Sequence, residues 1–169
     1  MKKVLVLLTA FVFFSFKAHA STEVVGLWKS VDARKGFTTS VMVVYEYQQR
    51  LYGRVIISYD EKTGALVDSW QEPSLRIERL AHKPLVVQHD LFWGLSLDNQ
   101  KWVGGTIIDP RSGRTYGCDV WIEDNLLVIR GKLGPFGMRQ IFYPLQPYEL
   151  PVEIGAPVFQ NIIPSSPVR

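Results

Sequence analysis

The chain has 169 residues, with 19 Lys and Arg against 16 Asp and Glu, and 47% of it is hydrophobic. That length suits one domain with a sizeable core, and the single cysteine, Cys118, excludes an intrachain disulfide. The basic excess lies in the first twenty residues, where Lys2, Lys3 and Lys17 stand without an acid. Beyond them basic and acidic side chains are equal in number, which removes the electrostatic case for a nucleic-acid partner.

Lys2 and Lys3 precede an apolar run, Val4 to Phe16, that is short for a membrane span. Ala18-His19-Ala20 then matches a small-x-small cleavage pattern. Residues 1–20 read as a secretory signal peptide cut after Ala20. The expected compartment is the periplasm or the exterior, with no stable membrane span once the leader is gone.

The body reads as short β-runs broken by turn signals, without an amphipathic helix. Val25–Val31 is the first predicted strand. Ser40–Tyr47 and Leu51–Tyr59 form a hairpin around Gln48-Gln49-Arg50. Asp60–Pro73 is a polar, turn-rich insertion, Leu75–Leu80 a weaker strand, and Ala81–Val87 is ambiguous. Leu91–Leu97 and Trp102–Asp109 flank Asp98-Asn99-Gln100. Arg114–Ile122, Leu126–Lys132 and Met138–Tyr143 complete the series. Eight or nine strands in sequential hairpins predict an all-β fold, a small antiparallel up-and-down β-barrel, because closure protects both sheet edges. No internal repeat stands out.

Alternation places Tyr116, Cys118, Val120 and Ile122 on one face of their strand, and Leu51, Val55, Ile57 and Tyr59 form a similar inward set. After Tyr143 the prolines Pro144, Pro147, Pro151, Pro157, Pro164 and Pro167 make a poor strand. This tail, 144–169, reads as extended or disordered, with Ile154, Val158, Phe159, Ile162 and Ile163 available to dock on the barrel. The division expected is thus a leader (1–20), a barrel domain (21–143) and a proline-rich tail (144–169).

Four segments resemble a known family: Gly26-Leu27-Trp28-Lys29; Leu51-Tyr52-Gly53-Arg54-Val55; Trp102 to Pro110 with Ser112 to Tyr116; and Leu126–Gly131 followed by Gly137-Met138-Arg139-Gln140. They are similar to the bacterial secreted family known as domain of unknown function 2147, from about Val25 to Tyr143. The resemblance implies a periplasmic or secreted lipocalin-like barrel and no established reaction. The insertion Asp60–Pro73 and the tail depart from the family pattern. The resemblance also implies barrel-closing roles for Gly26, Trp28 and Arg139, with the Arg139 guanidinium stacked on the Trp28 indole.

Several residue types were weighed for chemistry. Asp109-Pro110-Arg111-Ser112-Gly113 reads as a hairpin turn, because it lacks the regular oxygen ligands of a calcium loop. His82, His89 and Asp90 lack zinc spacing, so no metal site is expected. Ser112 has no nucleophile-elbow sequence around it, and Cys118 reads as a buried small hydrophobe. Asp119 and Glu123 stand about 13 Å apart on a strand, too far for a retaining glycosidase pair. No catalytic residue and no cofactor is expected.

Tyr45, Ile57, Tyr59, Trp93, Tyr116 and Val120 are the candidate ligand-lining residues, aromatic or aliphatic bodies on predicted inward faces. The leading expectation is a non-enzymatic binder of a small hydrophobic or amphipathic molecule. The alternatives are an envelope interaction module, working through 60–73 or 144–169 with a side-chain-filled barrel, and, less favoured, a hydrolase acting on an envelope component.

Overall fold

The computed structural model describes residues 23–133, 136–151 and 162–168. The expected leader lies outside the described residues, as do Ile154, Val158 and Phe159. Nine strands form one antiparallel sheet: β1 Gly26–Val31, β2 Thr38–Tyr47, β3 Arg50–Tyr59, β4 Leu66–Ser69, β5 Asp90–Asp98, β6 Lys101–Asp109, β7 Arg114–Glu123, β8 Leu126–Leu133 and β9 Phe136–Pro144. Eight of them close a barrel in the order β1-β2-β3-β5-β6-β7-β8-β9, and β4 adds outside on β3. The predicted all-β barrel is therefore the observed fold.

One local expectation is extended and another corrected. The turn-rich segment 60–73 also holds a short strand: Asp60 and its loop lead into β4, which pairs with β3 through Ile57, Ser58 and Tyr59. Leu75–Leu80 is not a strand of the sheet. It folds back on itself through the single bridge Arg76–Leu85, with Val86 N–H donating to the Leu75 carbonyl at 2.9 Å. Leu66-Val67 supplies an apolar pair with one β-branched member, while Glu78-Arg79 interrupts the other run.

The two barrel ends differ in construction. At one end lie the tight hairpins Tyr47–Arg50, Asp98–Lys101 and Glu123–Leu126. Their turn residues adopt left-handed backbone at Gln48, Gln49, Asn99, Asp124 and Asn125, the conformation that two-residue hairpins require. Inside this end sits the main core: Trp28, Met42, Val44, Leu51, Phe92, Leu95, Trp102, Cys118, Val120, Leu127 and Phe142, with Val24 beneath. Burial of each large apolar side chain contributes about 1.5–3 kcal/mol.

Two glycines make that filling feasible. A Cβ on Gly53 would collide with the Phe92 ring, and one on Gly105 with the Leu95 side chain. The interior is thus occupied by large residues reaching across from positions opposite a missing side chain.

The other end carries three loops of one design. Asp32-Ala33-Arg34-Lys35-Gly36, Asp60-Glu61-Lys62-Thr63-Gly64 and Asp109-Pro110-Arg111-Ser112-Gly113 each span aspartate to glycine over five residues. In each, the glycine N–H donates to the aspartate carbonyl at 2.8 Å. The aspartate carboxylate meanwhile accepts backbone N–H groups inside its own loop. The glycines hold φ of +75°, +71° and +68°, a conformation that costs other residues strain. The Asp-x-x-x-Gly spacing also occurs at Asp90–Gly94 within β5, so spacing alone did not mark these loops.

A second apolar cluster lies outside the barrel wall. Leu27, Val41, Val43, Ile56 and Ile57 are covered by Leu145 and Leu150, with Ile162 packed against them. The described part of the tail is thus docked rather than loose: Leu145 N–H donates to the Leu27 carbonyl at 2.9 Å, and the chain around 162–165 crosses β3 to reach β5.

Candidate functional site

Above the filled core, the barrel opens into a cavity of about 800 Å³. It exists because the inward positions of this half are small. Ser30 on β1, Ser40 on β2, Ser58 on β3 and Gly131 on β8 stand where the closed half carries Trp28, Met42 and Leu127. Val55, Leu91, Ile107, Ile129 and Phe142 give its apolar walls, and Leu75 and Val86 from the folded-back connection complete one side.

Polar groups gather toward the mouth. Ser30 Oγ lies 2.5 Å from Thr39 Oγ1 and 2.8 Å from Ser40 Oγ, and Ser40 faces Ser58 across β2 and β3. Gln140, on β9 beside β1, also lines the cavity. The rim is laced together: Arg111 pairs with Glu61 between two loops, and Lys35 Nζ donates to the carbonyls of Glu61 and Lys62 at 2.6 and 3.3 Å. Asp109 accepts the Ser112 hydroxyl at 2.6 Å, and that bond holds its carboxyl below the usual range, aided by the Arg111 N–H. Its role is to brace the turn.

Of the candidate lining residues, Tyr59 and Tyr116 border the cavity, and Tyr59 also packs against the outer cluster. The other four do not. Val120 is wholly buried in the closed-end core, below the cavity. Ile57 lies in the outer cluster, because one extra residue on β3 between Val55 and Ile57 reverses the alternation there. Tyr45 and Trp93 stand on the faces opposite their inward neighbours Val44 and Phe92. The lining residues that were missed, Ser30, Ser40, Ser58 and Gly131, are small, and an inward run of small residues was the available signal.

The proposed stacking of Arg139 on Trp28 is also corrected. Trp28 is buried in the core, its Nε1 donating to the Val24 carbonyl at 2.9 Å. Arg139 points outward from β9, since strand parity turns Phe142 inward and Arg139 away. Its guanidinium lies 5.5 Å from the Trp121 ring and pairs with Glu123 at 2.9 Å, while Lys101 Nζ sits 4.7 Å from the same ring. Gly26, at φ +151°, opens β1 opposite Val44.

Outside the wall, Tyr45 belongs to a buried polar network that the sequence did not announce. Asp90, 1% exposed, accepts the Tyr45 hydroxyl at 2.7 Å and Arg54 Nε at 3.0 Å. It also accepts the Ser165 N–H at 2.7 Å and returns its own N–H to the Ser165 carbonyl at 2.8 Å. Arg54 donates further to the Ile163 carbonyl at 2.9 Å. Burial raises the Tyr45 phenol, with the Asp90 charge adding to it. His89 is turned to the Leu85 carbonyl at 2.9 Å and His82 is exposed. Cys118 faces the core, its thiol pushed up to about 12 by burial.

An eight-stranded antiparallel barrel, solid at one end and hollow at the other, has a lipocalin-like fold. Its family is equally plain: the chain belongs to the bacterial family described as an uncharacterized protein conserved in bacteria (DUF2147), whose model matches residues 26–143. Among solved structures, the protein HP1028 from the human pathogen Helicobacter pylori, described as belonging to the lipocalin family, is similar at a TM-score of 0.57 and 15% identity. The likeness covers 75% of this chain and 85% of that one, and it speaks for the fold. No curated protein gives a match.

Proposed function

We propose that this protein is a non-enzymatic binder that holds a small hydrophobic or amphipathic molecule in the open half of its barrel. The cavity of about 800 Å³ carries the reading: its volume falls within the range of small-molecule pockets, and apolar walls with a few polar groups are their usual lining. The lipocalin-like fold is in keeping with it. The serines and threonine at the cavity bond to one another, Ser112 bonds to Asp109, and Cys118 faces the core. The carboxylate beside Ser112 is held below its ordinary range, which makes it a weak base.

The compartment proposed is the periplasm or the exterior, supported by the charged start, short apolar run and Ala-His-Ala pattern of residues 1–20. Mass measurement of the protein from a periplasmic fraction would then give a chain beginning at Ser21. A chain retaining Met1 would refute the cleavage.

The binding test uses N-phenyl-1-naphthylamine, a neutral probe that fluoresces in apolar surroundings. The protein should bind it saturably, and Gly131→Leu, which puts a side chain into the cavity, should weaken binding. A Cβ on Gly131 meets Ile107 at an ordinary 3.8 Å, so a leucine there enters the cavity without forcing the wall. Undiminished binding by a folded Gly131→Leu protein would place the probe elsewhere and sink the reading.

One observation favours a second reading. β4 exposes Leu66 and Val67, and Trp70 follows them half-exposed, within the segment 60–73 considered for protein contacts. An envelope partner could pair with this outer strand.

A further inference from the structure

Resting on that binding reading, we propose that the ligand is an amphiphile with an uncharged, hydrogen-bonding head. The head sits at the Ser30–Thr39–Ser40–Ser58 hydroxyls, and the apolar chain runs down toward Ile129 and Phe142. The walls that join the buried core are Ile107, Ile129 and Phe142; Tyr116 and Gln140, the cross-strand partners of Ile107 and Ile129, add single polar tips at that level, against the hydroxyls gathered at the mouth. The hydroxyl cluster lies near the mouth, on the strand ends that lead into the first two Asp-x-x-x-Gly loops. Hydroxyls donate and accept equally well. They match an alcohol, ester or amide head, and they supply no charge to offset a buried ion.

The rim argues the same way. The charged groups that line the cavity are Glu61, Asp109 and Arg111. Arg111 is already paired with Glu61, and Asp109 is held as an anion by Ser112. An anionic head would meet two carboxylates and a committed arginine. Lys35, nearby, is spent on two backbone carbonyls. Within the three loops Arg34, Lys35, Lys62 and Arg111 equal Asp32, Asp60, Glu61 and Asp109 in number, and Arg114, in register with Asp109, and Arg79, beside Gly113, add positive charge next to the third loop, so nothing there draws a cationic head. Residues 134–135 and 152–161 contain no lysine, arginine or histidine.

The experiment compares three ligands that share one eighteen-carbon chain: monoolein, oleate and oleylamine, each displacing N-phenyl-1-naphthylamine from the full-length mature protein near pH 7.5. Monoolein should displace the probe at a concentration about tenfold below the other two, corresponding to about 1.4 kcal/mol of discrimination. In the Ser30→Ala/Ser40→Ala protein, with each displacement referred to that variant's own probe affinity, the preference for monoolein should disappear; a folded variant that keeps the full preference would overturn the head assignment. Oleate or oleylamine matching monoolein would overturn the head assignment and leave the cavity reading standing. Displacement by none of the three would do the same. Failure of the wild-type protein to bind the probe at all would overturn both.

Discussion

Asp90 is a carboxylate taken almost wholly out of water, and its surroundings decide its chemistry. Arg54, the Tyr45 hydroxyl and the Ser165 N–H all favour the anion, while burial opposes it and outweighs them, so its carboxyl titrates above the usual carboxylate range. The native state then holds the proton more tightly than the unfolded chain does. Stability from this group is complete below the unfolded pKa of about 3.9 and declines as pH rises through the native value. Chemical denaturation of the wild type and Asp90→Asn from pH 3.5 upward should show the wild type losing ground to the variant over that window, with a constant difference above it. A wild type that gains on the variant with rising pH would mean that Arg54 and the hydrogen bonds dominate.

At the scale of single elements, the barrel depends on pairs of residues whose sizes fit one another across neighbouring strands. Gly53 on β3 leaves the space that the Phe92 ring from β5 occupies, and Gly105 on β6 does so for Leu95. Gly53→Ala should destabilise the protein by about 1–3 kcal/mol, the usual cost of overpacking, measured by urea denaturation. Adding Phe92→Leu should recover part of that loss, because the removed ring frees the clashing volume. Independent, additive effects would show that the two positions do not share a space. The mouth loops follow a different logic: each aspartate satisfies its own loop's backbone donors, which shapes the rim before any ligand arrives.

For the molecule as a whole, the tail is part of the folded body. Leu145 and Leu150 cover the outer cluster, and residues 162–165 tie β3 to β5 through Arg54 and Asp90. Ending the chain at residue 161 would remove the Ser165 and Ile163 contacts and uncover the buried carboxylate. The expected loss is about 2–4 kcal/mol, since hydrogen bonds to charged groups are worth roughly 1.5–3 kcal/mol each. Equal unfolding midpoints for the full-length and shortened proteins would show the strap to be idle. With the tail in place, the closed half of the barrel is a solid plug and the open half a cup. The proposed ligand therefore has one end by which to enter.

Period-two hydrophobicity and turn residues were enough, by themselves, to determine an all-β chain of sequential hairpins and its closure into a barrel, because both follow from local alternation and the cost of open edges. The segments from Gly26 to Gln140 were enough for the family. Tertiary structure alone decided which faces look inward near a bulge. One extra residue at Ile56 sent Ile57 outward, and no local pattern marks such a shift. It alone moved Arg139 from Trp28 to Trp121, and it alone joined Asp90 to Ser165, 75 residues away. The cavity, too, is a tertiary fact. Ser30, Ser40, Ser58 and Gly131 are scattered along the chain, and their shared smallness becomes a volume only when four strands bring them around one space.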